Sequence, residues 1–329
     1  MTLRAVILND TSTRYHHGCS RVMRLLVAGL ERHGLTITAR SPARHDWAEN
    51  AGFLGAMRET DVIVINGEGT LHHGRPAGAR LLAVAKHAAR GGTPLALVNA
   101  LWQDNPDDWS TLLSRFDLIA ARDSVSAETM AQATGHDVRW LPDLSLSAPA
   151  DIAPASRHGV IIGDSVKPGP RRVLGRAARQ YADATLVPTK TLSGGVWRFA
   201  PARAALAAAW FGGLGLPPLE MPQDEPAYLE RIARARLHLT GRFHAVCLSM
   251  LTETPFLALG SNASKIERLL GDAGLGPSRL VPPETLSKPP QDMPFSEAEL
   301  TAIRAFRQLA QGRAETLYAD IAALARRDR

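Results

Sequence analysis

Several short runs in this sequence are apolar at every position, and Val62-Ile63-Val64-Ile65 is one of them. A strand with one face in water alternates apolar and polar side chains, whereas a parallel strand covered on both faces is apolar throughout. These runs recur along the chain and helical patterns separate them. The sequence therefore predicts an α/β protein with doubly wound parallel sheets.

The predicted strands fall into two series. The first comprises Arg4–Leu8, Leu35–Ala39, Asp61–Ile65, Pro94–Val98, Asp117–Ala121 and Val138–Leu141. The second comprises Gly159–Ile162, Ala184–Val187, Arg236–Thr240, Pro255–Leu259 and Arg279–Val281. Two strand-rich halves of comparable length predict two Rossmann-like domains that face a cleft.

Several helices have recognisable ends. Glycine just past a helix adopts the left-handed conformation that ends it, and this signal follows three predicted helices. They are Ser20–Arg32, Ser124–Thr134 and Asn262–Ala273. A last helix is predicted to begin at Ser296-Glu297-Ala298-Glu299, which has the pattern of a capping box.

A stretch rich in Pro, Ala and Ser, residues 147–156, separates the two strand series and predicts a linker. We therefore predict an N-terminal domain over residues 1–150 and a second domain over residues 151–295. The C-terminal helix, residues 296–329, is long enough to pack back on the first domain.

Composition limits the class of partner. Of the 329 residues, 38 are Lys or Arg and 32 are Asp or Glu, which gives a net charge of +6. A basic chain favours anionic partners, although solubility alone explains the charge equally well. Aromatic residues make up only 5% of the chain and do not alternate with basic runs, which argues against a nucleic-acid partner.

No segment reads as a membrane span, because the apolar stretch from Ala204 to Phe211 is far shorter than the roughly 20 residues required. The chain also enters a predicted strand at once, without the pattern of a signal peptide. We expect a cytoplasmic protein whose basic surface permits contact with the inner face of an anionic membrane.

Candidate site residues follow the predicted strands, because ligands of parallel α/β sheets bind at the carboxyl ends of strands. These residues are His17, Asn66, Gly67, Glu68, Gly69, Arg122, Gly241, Arg242, His244, Ser261, Asn262 and Lys265. The set is rich in cations, imidazoles and glycine.

Arg242 and His244 carry the clearest signal. A strand ends at Thr240, Gly241 permits a close turn, and a helix is predicted to begin near Phe243. An anion there would meet helix N-terminal amides, a guanidinium and an imidazole. The alternative is a capping arginine beside a buried, hydrogen-bonded histidine.

The other candidates each have a structural alternative. Glu68 lies between two glycines in a turn that lacks the third glycine of a dinucleotide fingerprint. Its carboxylate would accept a sugar hydroxyl or its proton, unless it is simply a turn residue. Arg122 is either an anion ligand or part of an ion pair beside a helix cap, and Lys265 either binds phosphate or faces solvent.

No metal and no cofactor are predicted. The pairs His16-His17 and His72-His73 lack the i, i+4 spacing of a helical metal site, and no carboxylate-rich cluster accompanies them.

Several of these segments together resemble one family. Gly241-Arg242-Phe243-His244-Ala245 resembles the Gly-Arg-x-His-Ala block of the polysaccharide pyruvyl transferases. Arg122-Asp123-Ser124-Val125-Ser126 resembles the family's Arg-Asp/Glu-x-x-Ser block, and Pro142-Asp143 its Pro-Asp turn. The segment from Asn66 to Leu71 takes the place of its Gly-rich loop. Because each block is short, the specificity lies in their order and spacing.

The resemblance implies two Rossmann-like domains similar to those of GT-B glycosyltransferases. It implies phosphoenolpyruvate as donor and a sugar, free or lipid-linked, of a polysaccharide or its precursor as acceptor, with a pyruvate ketal and phosphate as products. On this basis the first domain is the acceptor side and the second the donor side. Arg242, Arg122 and Lys265 would bind the anionic groups. His244 would act as general acid and Glu68 as base on the acceptor.

Two departures from the family pattern leave alternatives open. Glu68 stands where a third glycine is commoner, and the segment from Asp10 to Gly18 is unusual in its paired histidines. The first alternative is a GT-B-type glycosyltransferase that uses a sugar-nucleotide donor, and the second is a non-catalytic binding protein.

Overall fold

The structure is a computed structural model that describes residues 2–153, 155–193, 195, 197, 199–287 and 293–327. Within these residues the strands form two parallel sheets, one of six strands and one of four. The chain divides into two compact units, each built around one sheet.

Unit 1 consists of Met1–Arg14, Val22–Ser147 and Gln308–Arg329. Its strands are β1 (Leu3–Asp10), β2 (Leu35–Pro42), β3 (Val62–Asn66), β4 (Leu95–Ala100), β5 (Leu118–Ala121) and β6 (Arg139–Trp140), in the order β2-β1-β3-β4-β5-β6. Its helices are α2 (Ala51–Arg58), α3 (Pro76–Leu82), α4 (Trp109–Leu113), α5 (Ser124–Thr134) and parts of α1 (His17–Arg32) and α11 (Glu297–Leu324).

The six-stranded sheet is covered on both faces. Ile63 and Ile65 of β3 pack in one apolar cluster with helices such as α2, and Val62 and Val64 pack in the other with α1 and the C-terminal part of α11. All of β3 is buried, so the prediction drawn from its unbroken apolar run is confirmed.

Unit 2 consists of Tyr15–Arg21 and Ala148–Arg307. Its strands are β7 (Val160–Ser165), β8 (Ala184–Leu186), β9 (Leu237–Gly241) and β10 (Phe256–Ala258), in the order β10-β9-β7-β8. Its remaining helices are α6 (Pro168–Ala178), α7 (Ala200–Ala207), α8 (Glu225–Ala233), α9 (Phe243–Leu251) and α10 (Lys265–Asp272). The assignment of acceptor and donor sides to the two halves stays a prediction.

Several sequence predictions are wrong in detail, among them the start of α1, which lies at His17 and not at Ser20. Residues 279–281 do not form a strand: a 3-10 turn covers Pro277–Arg279, and only Leu280 bridges Ala258. Pro282 and Pro283 follow directly and lack the N–H groups that a ladder needs. The helix predicted from residue 262 begins at Lys265 instead.

The capping box of the last helix is confirmed. The Ser296 N–H donates to Glu299 Oε2 at 2.8 Å, and the Glu299 N–H donates to Ser296 Oγ at 3.2 Å. Among the described residues, no helix combines the length and the apolar character needed to cross a bilayer.

Candidate functional site

The four-stranded sheet of unit 2 reverses its strand order between β7 and β9. Such switch points are where open α/β sheets bind ligands, beyond the carboxyl ends of the strands. β7 ends in Asp164 and Ser165, and β9 ends in Gly241, directly before Arg242. The strongest sequence candidates therefore lie at the expected place in this sheet.

Arg242 is held by a buried carboxylate. Its Nε and Nη2 donate to Asp164 Oδ2 at 2.9 and 2.5 Å. The Asp164 side chain is fully buried, and its Oδ1 accepts the Thr189 N–H at 3.0 Å. The edge of the planar guanidinium that carries Nε and Nη2 is thus fixed.

Gly241 is required by the packing of the two strand ends. A Cβ at this position would lie 2.7 Å from Ser165 Cβ on the neighbouring strand. The close turn that the sequence predicts at Gly241 is therefore a close approach of β9 to β7.

His244 lies in the first turn of α9, and its side chain is buried. The start of α1 packs directly on it: a Cβ at Gly18 would lie 2.2 Å from His244 Cβ, and the His16 ring meets the His244 ring edge-on at 5.3 Å between centroids. Nitrogen or sulfur atoms of His16, Cys19 and His244 all lie within 4.8 Å of one another. We call these three residues the His-Cys-His cluster.

His16 and Cys19 are not among the site residues predicted from the sequence. Their proximity to His244 arises from tertiary packing between segments that are far apart in sequence, so no local pattern predicts it. The one available signal was the unusual run His16-His17-Gly18-Cys19 after the first strand.

His16 and His17 are both electrically neutral near pH 7. Burial lowers the pKa of His17 to about 4, although Asp224 and Glu225 oppose the shift. His17 stacks on Tyr228 with 4.6 Å between ring centroids. Burial, followed by the positive charges of groups including Arg242 and Lys265, holds the pKa of His16 well below its ordinary value.

The predicted contacts at the start of α10 form a small polar group. Lys265 Nζ donates to Asn262 Oδ1 at 3.1 Å, and Ser261 Oγ donates to the same oxygen at 3.2 Å. Asn262 therefore orients the lysine and does not cap the helix. The positive charges of Arg242 and Lys265 both act on the His16 ring, which packs against the His244 ring.

A cavity of about 400 Å³ adjoins Arg242 and is also lined by Arg171, Lys190 and Trp210. A larger cavity of about 820 Å³ is lined mainly by α7 and residues 213–222 and contains none of the predicted site residues. The arginine and lysine side chains that line the smaller cavity make it the better candidate for a ligand site.

Glu68 lies at the switch point of the other sheet, where the order reverses between β1 and β3. It is buried, and Thr11 Oγ1 donates to its Oε2 at 2.6 Å. Asn66 Nδ2 donates to Thr11 Oγ1 at 3.2 Å, and Asn9 Nδ2 donates to the Asn66 carbonyl at 2.6 Å. Asn66 and Glu68 are site residues predicted from the sequence, whereas Asn9 and Thr11 are not.

The flanking glycines, Gly67 and Gly69, complete this turn. The Gly67 N–H donates to the Val98 carbonyl at 2.7 Å, and Gly69 has a φ of +69°. The turn therefore fixes the backbone on both sides of the Glu68 carboxylate.

Arg122 follows β5 in unit 1 and is buried, with Nη1 3.6 Å from Asp143 Oδ2. The side chain of its neighbour Asp123 accepts the Ser126 N–H at 2.7 Å and so caps α5. This is the arrangement of an ion pair beside a helix cap, and the role of Arg122 as an anion ligand stays a prediction.

Several solved structures have a fold similar to that of this chain. A protein from Listeria monocytogenes assigned as a UDP-N-acetylglucosamine 2-epimerase matches with a TM-score of 0.60 and 12% identity over 96% of this chain and 94% of that one. The UDP-N-acetylglucosamine 2-epimerase of Neisseria meningitidis, bound to UDP-GlcNAc, matches with a TM-score of 0.57 and 10% identity over 97% and 99%. The trehalose-6-phosphate synthase OtsA matches with a TM-score of 0.57 and 10% identity over 99% of each chain. These matches confirm the predicted GT-B-like fold class.

Sequence comparisons address the family. Curated protein sequences give no match to this chain. The sequence model of the polysaccharide pyruvyl transferase family matches residues 9–262, which include Glu68, Arg122, Arg242 and His244. The chain therefore belongs to the polysaccharide pyruvyl transferase family and is an enzyme of this kind.

Proposed function

We propose that the enzyme transfers a pyruvyl group from phosphoenolpyruvate to a sugar of a polysaccharide or its precursor, forming a pyruvate ketal and releasing phosphate. Family membership supports the transfer. The observation that carries the choice of donor is Arg242, fixed by buried Asp164 beside His244 at the N-terminus of α9.

The donor carries a phosphate and a carboxylate, so its site needs more than one positive group. Arg242 offers a fixed guanidinium edge, Lys265 supplies a point charge, and the first turn of α9 offers backbone N–H groups. Gly241, Ser261, Asn262 and His17 are the further contacts we propose in this unit. Arg171 and Lys190 add positive charge along the adjoining cavity.

The chemistry needs two proton transfers. The methylene carbon of phosphoenolpyruvate gains a proton, which makes the neighbouring carbon oxocarbenium-like and open to attack by a sugar hydroxyl. Phosphate then leaves with a proton, and a second hydroxyl closes the ketal. The two hydroxyl protons balance the two that are consumed. We assign His244 as general acid.

Unit 1 supplies the remaining proposed groups. Glu68 is the base for an acceptor hydroxyl, and its bond from Thr11 holds the carboxylate in one orientation. Arg122 is a further anion contact. Asn66, Gly67 and Gly69 contact the acceptor and shape the backbone of the turn there. The acceptor sugar is free or lipid-linked, and the basic chain suits docking at an anionic membrane face.

The direct test incubates the purified enzyme with phosphoenolpyruvate and a panel of sugar acceptors. We expect phosphate release together with a ketal methyl signal in the product by NMR. His244→Ala should lower turnover by about 10²–10³ while the melting temperature is retained. Normal turnover in a folded His244→Ala enzyme would remove His244 from the scheme.

The alternative is a glycosyltransferase that uses a sugar nucleotide. It is favoured by one observation, the similarity in fold to an epimerase bound to UDP-GlcNAc. Thermal shift separates the two: a ligand at 100 times its Kd stabilises a protein by about 2.7 kcal/mol. Stabilisation by phosphoenolpyruvate supports pyruvyl transfer, whereas stabilisation by UDP-GlcNAc alone supports the alternative.

A further inference from the structure

The His-Cys-His cluster places a thiol beside the proposed general acid. Cys19 lies in the first turn of α1 and is buried, and its sulfur lies within 4.8 Å of a ring nitrogen of both His16 and His244. The backbone N–H of Cys19 lies 3.4 Å from His16 Nδ1, which fixes the histidine relative to the helix. Gly18 makes this approach possible because any side chain there would collide with His244.

The reaction requires acids at two different atoms of the donor, the methylene carbon and the bridging oxygen of the phosphate. One imidazole cannot serve both in one turnover without being recharged in between. His16 is a poor candidate for the second acid because its ring is held neutral. The thiol of Cys19 is the other group of the cluster that bears an ionisable hydrogen.

We propose that Cys19 is the catalytic acid that protonates the methylene carbon, which leaves His244 to serve the departing phosphate. This inference rests on the proposed function. The thiolate that remains after proton transfer lies in the first turn of α1, where the helix N-terminus stabilises negative charge.

The protons balance. In the first step the S–H bond breaks as the C–H bond of the new methyl group forms. The first sugar hydroxyl bonds to the adjacent carbon, and its proton passes through the neutral His16 ring to restore the thiol. In the second step the bond from carbon to the phosphate oxygen breaks, and the His244 imidazolium protonates that oxygen. The second hydroxyl closes the ketal as Glu68 takes its proton, and exchange with water returns a proton from Glu68 to His244 before the next turnover.

Two imidazoles and a thiolate are also the ligand types of zinc sites. The positive charges of Arg242 and Lys265 act at His16. Their repulsion opposes a divalent ion in the cluster, so the observations favour proton transfer over metal binding.

The experiment compares Cys19→Ser, Cys19→Ala and Cys19→Asp with Cys247→Ser as the matched control. Cys247 is the other buried cysteine and lies in α9. We expect Cys19→Ser and Cys19→Ala to lose about 10²–10⁴ in kcat/KM for phosphoenolpyruvate while their melting temperatures change little. The control keeps full activity.

A structural role for Cys19 would not move the pH profile, so the Asp variant is decisive. A carboxyl acid titrates far below a thiol. Cys19→Asp should therefore retain part of the activity and shift the alkaline limb of kcat/KM to lower pH. In D2O the wild type places deuterium in the ketal methyl group, and Cys19→Ala does so at a rate reduced in proportion to its turnover.

Three results overturn the proposal. They are full activity in Cys19→Ser, an unmoved alkaline limb in Cys19→Asp, and loss of wild-type activity on chelation that zinc restores. The failure of the proposed function is distinct: a wild-type enzyme that releases no phosphate from phosphoenolpyruvate with any acceptor refutes pyruvyl transfer and this role of Cys19 with it.

Discussion

Asp164 determines how Arg242 can act. A free arginine side chain has many rotamers, and fixing it during substrate binding costs free energy. Here a fully buried carboxylate fixes the guanidinium before any ligand arrives. Folding has therefore already ordered the Arg242 side chain, and ligand binding does not have to do so.

Asp164→Asn tests this role at the scale of one residue. The amide keeps the shape of the side chain but removes its charge, so Arg242 loses its main partner. We expect kcat/KM to fall by about 10² and the free energy of unfolding to fall by about 1–3 kcal/mol. Steady-state kinetics and urea denaturation measure the two effects.

The matched control is the exposed pair of Arg231 and Glu220, whose Nε and Oε2 lie 2.6 Å apart. Glu220→Gln should change stability by less than about 1 kcal/mol because solvent screens such pairs. Equal effects in both variants would contradict the special role of Asp164.

Glu68→Gln tests the proposed base. Thr11 can still donate its hydroxyl hydrogen to the amide oxygen of the variant, so the local network is largely preserved. Turnover should fall by about 10²–10⁴ because an amide cannot accept a proton. Turnover close to that of the wild type would show that Glu68 is only a turn residue.

At the scale of elements, the start of α1 is defined by its contact with α9. Gly18→Ala would place a Cβ where His244 already lies. We expect a loss of about 1–3 kcal/mol in stability, together with a large loss of activity because His244 must move. Denaturation and kinetics of the same preparation provide the measurement.

The helical glycine Gly55 is the control for this prediction, because a Cβ there meets nothing within 4 Å. Gly55→Ala in α2 should leave activity unchanged and leave stability equal or raised by up to about 1 kcal/mol. A Gly18→Ala enzyme that behaves like Gly55→Ala would contradict the close packing of the two helix starts.

Elements were predictable wherever local signals define both ends. Helix α5 spans the predicted residues because Asp123 caps its start and Gly135, with a φ of +70°, ends it. Helix α6 opens with Pro168-Gly169-Pro170, and no capping side chain marks its start. Proline is compatible with the first turn of a helix, and here the packing of α6 on the following segments, such as Phe211, outweighs weak local propensity.

Part of the candidate site was also predictable from local sequence. Arg242, His244 and Glu68 follow strands, so the general rule for parallel sheets finds them. Thr11 and Cys19 were missed because their relation to Glu68 and His244 depends on packing between distant segments. The ion pair of Arg122 with Asp143 likewise joins two motifs that are separate in the sequence.

At the scale of the whole molecule, buried histidines make stability depend on pH. The folded-state pKa of His17 is lowered to about 4, below its ordinary value of 6.5. Below pH 6.5 the unfolded chain gains a proton that the folded state does not accept until about pH 4. The stability contribution is therefore complete above pH 6.5 and is lost as pH falls toward 4.

We expect His17 alone to account for about 2 kcal/mol of the loss in unfolding free energy between pH 7 and pH 5. His17→Gln should reduce that loss, whereas the exposed histidine variant His45→Gln should not. Urea denaturation of the three proteins at both pH values provides the measurement. An unchanged pH dependence in His17→Gln would contradict the assignment.

Unit 1 draws one apolar cluster from two segments that lie far apart in sequence. The cluster that contains Leu3, Val22 and Leu26 also contains Leu317, Ile321 and Ala325. A ribosome makes the second group long after the first, so the nascent first unit must keep apolar surface exposed in the meantime. Completion of this core therefore waits for α11, and a chain cut short before that helix leaves a surface on which chaperones or aggregation act.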